Sequence, residues 1–198
     1  MADVSHEKEM HDFHAELGYC FAVWTGIEME LLNILRLCLP HNDFEVVAGT
    51  FYAVDNFRSK LAMVDTALKL EMTGDAKWEE WSVKGGFHQR IIAASKKRNN
   101  LAHWMILDLH QMKKPPAVYM LPNIFKPSMK DFEATRPSGG YYVHDLKSIR
   151  AEFNKLAQEL TMFWMEWRGP PEMLQELKHQ ERDQPTTLSQ EIPTRGGK

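Results

Sequence analysis

The sequence predicts an all-α fold: a bundle of about four long helices with a small extended or β-hairpin insertion before the last one. Three observations carry that expectation. Long stretches repeat apolar residues at helical spacing. The breaks between them fall at proline, glycine and short polar runs. One proline-rich interval interrupts the helical pattern late in the chain. The chain has 198 residues, 43% hydrophobic and 26% charged, a composition that suits one packed domain.

The first helix is expected from about His6 to Leu39. Phe13, Leu17, Phe21, Trp24, Leu31 and Leu35 fall on one arc, and Pro40 with the polar His41-Asn42-Asp43 ends it. A second helix is expected from Asp43, as its N-cap, to about Met72. Its stripe is Val46, Val54, Phe57, Leu61, Val64 and Leu68, and Thr73-Gly74-Asp75 breaks it. A third helical stretch covers about Ala76 to Met105. Gly85-Gly86 interrupts it if the cost of glycine, ~1 kcal/mol each against alanine, prevails. Residues 107–143 contain Pro115, Pro116, Pro122, Pro127, Pro137 and Gly139-Gly140, with strand-like runs at Ala117–Leu121 and Tyr141–Val143. This interval reads as the hairpin or extended insertion. The last helix, about Asp145 to Arg168, carries Leu146, Ile149, Phe153, Leu156, Leu160, Phe163, Trp164 and Trp167 on one face, and Gly169-Pro170-Pro171 ends it. The helical domain is therefore 1–170. Residues 171–198 are expected to be a largely disordered tail, with a helical turn or two around Met173 to Lys178.

A net charge of −3 argues against a broad nucleic-acid-coating surface, so any such contact must be a local basic patch. Cys20 and Cys38 sit about 27 Å apart if they share one helix, at ~1.5 Å rise per residue, too far for a disulfide. Two free thiols suit a reducing compartment. Met1 to Met10 contains no apolar core of a signal peptide, and no apolar run is long enough to span a bilayer. The expectation is a cytoplasmic protein with no membrane partner.

The stretch from Ile91 to Ile106 carries the chemistry. At ~100° per residue, Ile91, Ala94, Leu101, Ala102, Met105 and Ile106 cluster on one arc, and Arg98 falls near its middle. A guanidinium stays charged in any protein setting, and a buried charge without a partner is very costly. Arg98 must therefore face an acid, a bound anion or another subunit. Glu28 lies inside the apolar arc of the first helix, so the two are expected to pair. His103 sits about 140° around from Arg98, at the edge of the arc, and Asn99 and Asn100 flank it. By spacing alone the features read first as structural: an arginine snorkelling to an edge, and an interhelical Glu–Arg pair.

The segment KKRNNLAHW resembles the HEPN superfamily of small, often dimeric helical bundles. Its signature is an arginine, a polar residue, and a histidine four to six positions after the arginine. Arg98, Asn99 and His103 fill those places. The motif lies late in a long helix after a helix pair, and Trp24 with Glu28 resembles an aromatic-x-x-x-acid pattern of the first helix. The resemblance spans roughly Met10 to Arg168, with Trp104 standing where many members have glycine, which narrows the groove beside His103. It implies a metal-independent endoribonuclease whose active site forms between two motif helices of a homodimer. The 2′-hydroxyl attacks the adjacent phosphorus and leaves a 2′,3′-cyclic phosphate. His103 would be general base or acid. Arg98 would stabilise phosphoryl charge, and Asn99 would bind the phosphate or hold His103. Lys96 and Lys97 would attract the RNA backbone, with Glu28 and Asn100 in support. A toxin or phage-defence effector with an antitoxin partner is one setting for such an enzyme. Other members lack nuclease activity, so a non-catalytic nucleic-acid- or protein-binding module remains the alternative.

The other constellations point elsewhere. His6, His11, Asp12 and His14 read as a solvated helix start, since no HExxH is present. His88 and Arg90 read as surface residues. Tyr141 and Tyr142 suit strand packing better than base stacking. Trp24, Trp164 and Trp167 lie on apolar stripes and read as core. Neither glycine pair matches a phosphate-cradling loop, and there is no GxSxG and no P-loop. No metal or other cofactor is expected.

Overall fold

A 35-residue helix, α1 (Val4–Cys38), forms the axis of the computed structural model, which describes residues 4–39, 43–108, 118–121 and 140–175. Around it stand α2 (Phe44–Tyr52), α3 (Phe57–Glu71), α4 (Ala76–Ser82), α5 (Phe87–His103) and α6 (Val143–Arg168). The strands β1 (Met105–Asp108) and β2 (Val118–Leu121) form an antiparallel two-stranded sheet before α6. The molecule is thus a helical bundle with a small hairpin, as the sequence predicts. No described helix is long and apolar enough to cross a membrane.

Because α1 packs against α2, α3, α5, α6 and β2, it buries more than one stripe. Phe13, Trp24, Leu31 and Leu35 are buried as expected, and Cys20, Ile27, Leu32 and Ile34 join them. Its main partner is α6. Arg150 meets Glu16, Phe153 packs on Trp24, Trp164 donates to Glu30, and Arg168 donates to the Leu37 carbonyl. Contact positions rise together along both helices, so α1 and α6 run parallel. By the same reasoning α5 is antiparallel to α6: Phe87 meets Phe163, Arg90 meets Glu159, and Lys97 meets Glu152.

The expected helix from Asp43 to Met72 is two helices. Asp43 caps α2 by accepting from the Glu45 amide at 2.9 Å. A second cap, Asn56, accepts from the Ser59 amide at 2.8 Å and starts α3. The break resets the helical phase. Val46, placed on the core stripe by a continuous helix, is 60% exposed, while Val47 and Phe51 are buried in its stead. α2 then descends along α1, with Arg36 over the Phe44 ring, and α3 returns parallel to α1, with Phe57 on Trp24.

The interruption at Gly85-Gly86 is present, between α4 and α5. Gly85 has φ +86°, and a Cβ at Gly86 would lie 2.6 Å from the Glu80 carbonyl oxygen, so both positions require glycine. α4 is tied down by Trp81, whose Nε1 donates to Asp65 at 2.8 Å, and by Lys77, which bridges Glu80 and Glu166. The motif helix ends earlier than expected. Met105 and Ile106 belong to β1, where they pair with Leu121 and Met120. Residues 171–175 form a short helical segment. The tail beyond it, and the insertion between β1 and β2 and from 122 to 139, lie outside the described residues.

Candidate functional site

The core-facing side of α5 is Phe87, Ile91, Ala94 and Leu101. Arg98 lies between Ala94 and Leu101 on that side, as its position on the arc requires. It points towards α1, with its guanidinium carbon 5.9 Å from the centre of the Phe21 ring. Its Nε is buried and has no hydrogen-bond partner, and among the described residues no carboxylate pairs with it.

The expected Glu28–Arg98 pair does not form. Glu28 Oε1 accepts from Trp24 Nε1 at 2.8 Å, and Oε2 accepts from Lys60 Nζ at 2.9 Å. The reason is axial distance: Arg98 rests at the level of Phe21, and Glu28 is two turns further along α1, ~10 Å away. Lys60 of α3 lies at the level of Glu28 and is itself buried, its ammonium 5.1 Å and 4.9 Å from the ring centres of Phe51 and Tyr52. The sequence held a signal for this partner. Lys60 falls three residues after Phe57 and four before Val64, on the same apolar stripe.

His103 is the last residue of α5 and is exposed, as is Asn99 one turn before it. Asn100 donates to the Tyr141 hydroxyl at 3.2 Å, which ties the motif helix to the segment entering α6. Trp104 caps α5 with its amide on the Asn100 carbonyl, and its ring stacks on Tyr141 at 4.6 Å. Lys97 is engaged by Glu152 of α6, whereas Lys96 is exposed on the outer face. That outer face carries Ile92, Ala93, Lys96, Asn99, Ala102 and His103, all exposed. Within one protomer Arg98 and His103 point in different directions, as the helical angle between them demands.

The remaining candidates settle into structural contacts. His6 bonds Asp108 at 3.0 Å, and Glu9 accepts from the Val118 amide at 3.0 Å, so the start of α1 holds both strands of the hairpin. His14 Nδ1 donates to the Met10 carbonyl, and His11 lies 3.6 Å from Asp12. Arg90 pairs with Glu159, and His88 packs beside Trp81. Tyr142 is buried against Tyr119. No group of three or more His, Cys, Asp or Glu among the described residues could hold a metal ion. Both cysteines are buried thiols on α1. Burial first, and then Glu16, pushes Cys20 up to about 11; burial and then Glu71 push Cys38 up to about 12.

The arrangement offers a guanidinium unpaired among the described residues, an exposed imidazole and a carboxamide near one helix end. These can bind a phosphate and move a proton, provided a second surface brings them together. The chain matches no protein-family model, no curated protein and no solved structure.

Proposed function

We propose that the chain is a metal-independent endoribonuclease of HEPN type, acting as a homodimer across the outer face and the end of α5. The observation that carries this reading is Arg98. It is a partly buried guanidinium with an orphaned Nε and no carboxylate partner among the described residues. Of the three ways to satisfy such a charge, an acid among the described residues of the same protomer is removed, and the reading turns on an anion or another subunit. A phosphodiester at a dimer cleft supplies both. Two copies of α5 set face to face along Ile92, Lys96, Asn99 and His103, which share one exposed side, would bring the His103 of each towards the same scissile phosphate.

In this cleft one His103 removes the proton from the 2′-hydroxyl, and its counterpart protonates the departing 5′-oxygen. Arg98 swings from the Phe21 ring round the end of α5 to stabilise the charge gained by the phosphoryl oxygens. Asn99, one turn from His103, bonds the phosphate or orients the imidazole. Lys96 draws the RNA backbone to the outer face, while Lys97 contributes less because Glu152 holds it. A toxin or defence effector restrained by an antitoxin is the setting that suits an unspecific cleft of this kind.

Cleavage of total RNA by the purified chain, with and without EDTA, tests the proposal. Chelator-resistant cutting that leaves cyclic phosphate ends and vanishes in His103→Ala is the expected result. Chelator-sensitive cutting, or cutting unchanged by His103→Ala, would refute it. Absence of cutting together with RNA retention by wild type, lost in Arg98→Ala, would favour the binding-module reading.

A further inference from the structure

At the end of the bundle opposite the hairpin, α1, α2 and α3 leave an open apolar cavity of about 620 Å³. Its walls include Leu35 and Cys38 of α1, Val46 and Val47 of α2, and Met63 and Leu70 of α3. Val46 and Leu70 are 60% and 77% exposed. Large aliphatic side chains left in water around one concave surface mark a place where something docks.

The course of the chain indicates what does so. α6 ends beside this cavity: Arg168 donates to the Leu37 carbonyl at 3.0 Å and to Glu71 at 2.9 Å, and Glu71 is one of the cavity walls. Leu39, on the cavity rim, also lines the groove that holds Pro170 and Met173, so the chain after α6 runs along the same edge. Past Gln175 the sequence continues to Lys198. Between Lys178 and Lys198 its aliphatic residues other than proline are Leu188 and Ile192 alone. A separation of four puts both on one side of the backbone, whether helical or extended. Thirteen residues link Gln175 to Leu188, a tether of up to ~45 Å at ~3.3–3.6 Å per residue, ample for a site that α6 already touches. A short tether of this kind holds its ligand at roughly millimolar effective concentration.

We infer that the α1–α2–α3 cavity is the docking site of the chain's own segment 185–193, with Leu188 and Ile192 inserted beside Val46 and Leu70. The contact is independent of the proposed nuclease cleft. It covers the exposed aliphatic rim and clips segment 185–193 to the corner where α1, α2 and α3 meet.

Disulfide trapping in the full chain tests it. Thr66, exposed on α3, contributes to the cavity wall, and Ser189 adjoins Leu188. Thr66→Cys with Ser189→Cys should form an intrachain disulfide under mild oxidation at least tenfold faster than Ser148→Cys with Ser189→Cys. Ser148 is an exposed site on α6, ~30 Å along the helix from Arg168. Adding Leu188→Asp and Ile192→Asp should abolish the difference. Both pairs are placed in a Cys20→Ala/Cys38→Ala background, because Cys38 lines the cavity and would compete for the introduced thiol. Equal rates for the two pairs, or a rate advantage that survives the aspartates, would overturn the assignment. So would a disulfide that forms mainly between chains and rises with concentration, which would give the cavity to a second copy.

Discussion

Replacing Glu28 by alanine strands the Lys60 ammonium between the Phe51 and Tyr52 rings, in a place sealed against full hydration. The two side chains are 17% and 11% exposed, and their heads lie 2.9 Å apart. Removing one member of a buried pair costs ~3–5 kcal/mol, and the residual exposure places this case near the lower end, ~3 kcal/mol. Trp24 Nε1 loses its acceptor as well, which adds ~1 kcal/mol. The sum, ~4 kcal/mol, should lower Tm by ~8–16 °C for a chain of this size. Denaturant titrations of Glu28→Ala, Lys60→Met and the double variant measure the pair. The double variant should be more stable than the sum of the single changes predicts, by at least ~2 kcal/mol. Glu28→Ala combined with Arg98→Met should instead be additive within ~0.5 kcal/mol. Additivity of Glu28 with Lys60, or strong coupling of Glu28 with Arg98, would refute this assignment of partners.

Three further outcomes are expected. His103→Ala should reduce RNA cleavage by ~10²- to 10⁴-fold in a gel assay while leaving circular dichroism and Tm unchanged, because the side chain is exposed at the helix end. Asn56→Ala removes the cap that starts α3 and should cost ~1 kcal/mol, read as a drop in the urea midpoint with no change in slope. Stability should also fall in alkali. Burial raises Cys20 to about 11 and Cys38 to about 12, so the folded chain keeps thiol protons that the unfolded chain releases from pH ~8.5 upward. This contribution is intact below pH ~8.5 and declines as pH climbs towards those folded-state values. Urea midpoints at pH 8 and pH 10.5 should differ less in Cys20→Ala/Cys38→Ala than in wild type.

Much of the architecture was legible because the helices advertise themselves by period. α6 is the clearest case: an unbroken apolar face bounded by Gly169-Pro170-Pro171 leaves no competing reading. The break between α2 and α3 was harder. Apolar residues on both sides let one continuous stripe be drawn through Val46 and Val54, and the cap at Asn56 lies among residues that also tolerate helix. The end of α5 was lost for a different reason. Met105 and Ile106 fit a helical arc, but their pairing with β2 is a contact across the chain that local spacing cannot register. At the site, the burial side of Arg98 and the exposure of His103 followed from helical angles. The partner of Glu28 did not, because two charges on apolar arcs say nothing about their height along the bundle.

The parallel course of α1 and α6 bears on how the chain acquires its structure. Trp164 reaches Glu30 across 134 residues, and Cys20 meets the Leu146 carbonyl across 126. During synthesis α1 emerges before the elements it packs against, and α6, its principal neighbour, emerges after all the others. Its apolar surface must wait, shielded in part by α2 and α3, while the intervening chain is made. Contacts of such long range slow folding and prolong the period in which exposed helix surface invites wrong association. The last helix is therefore the step that commits the bundle, and a chain stopped before Leu146 would hold a long apolar helix with its main partner missing.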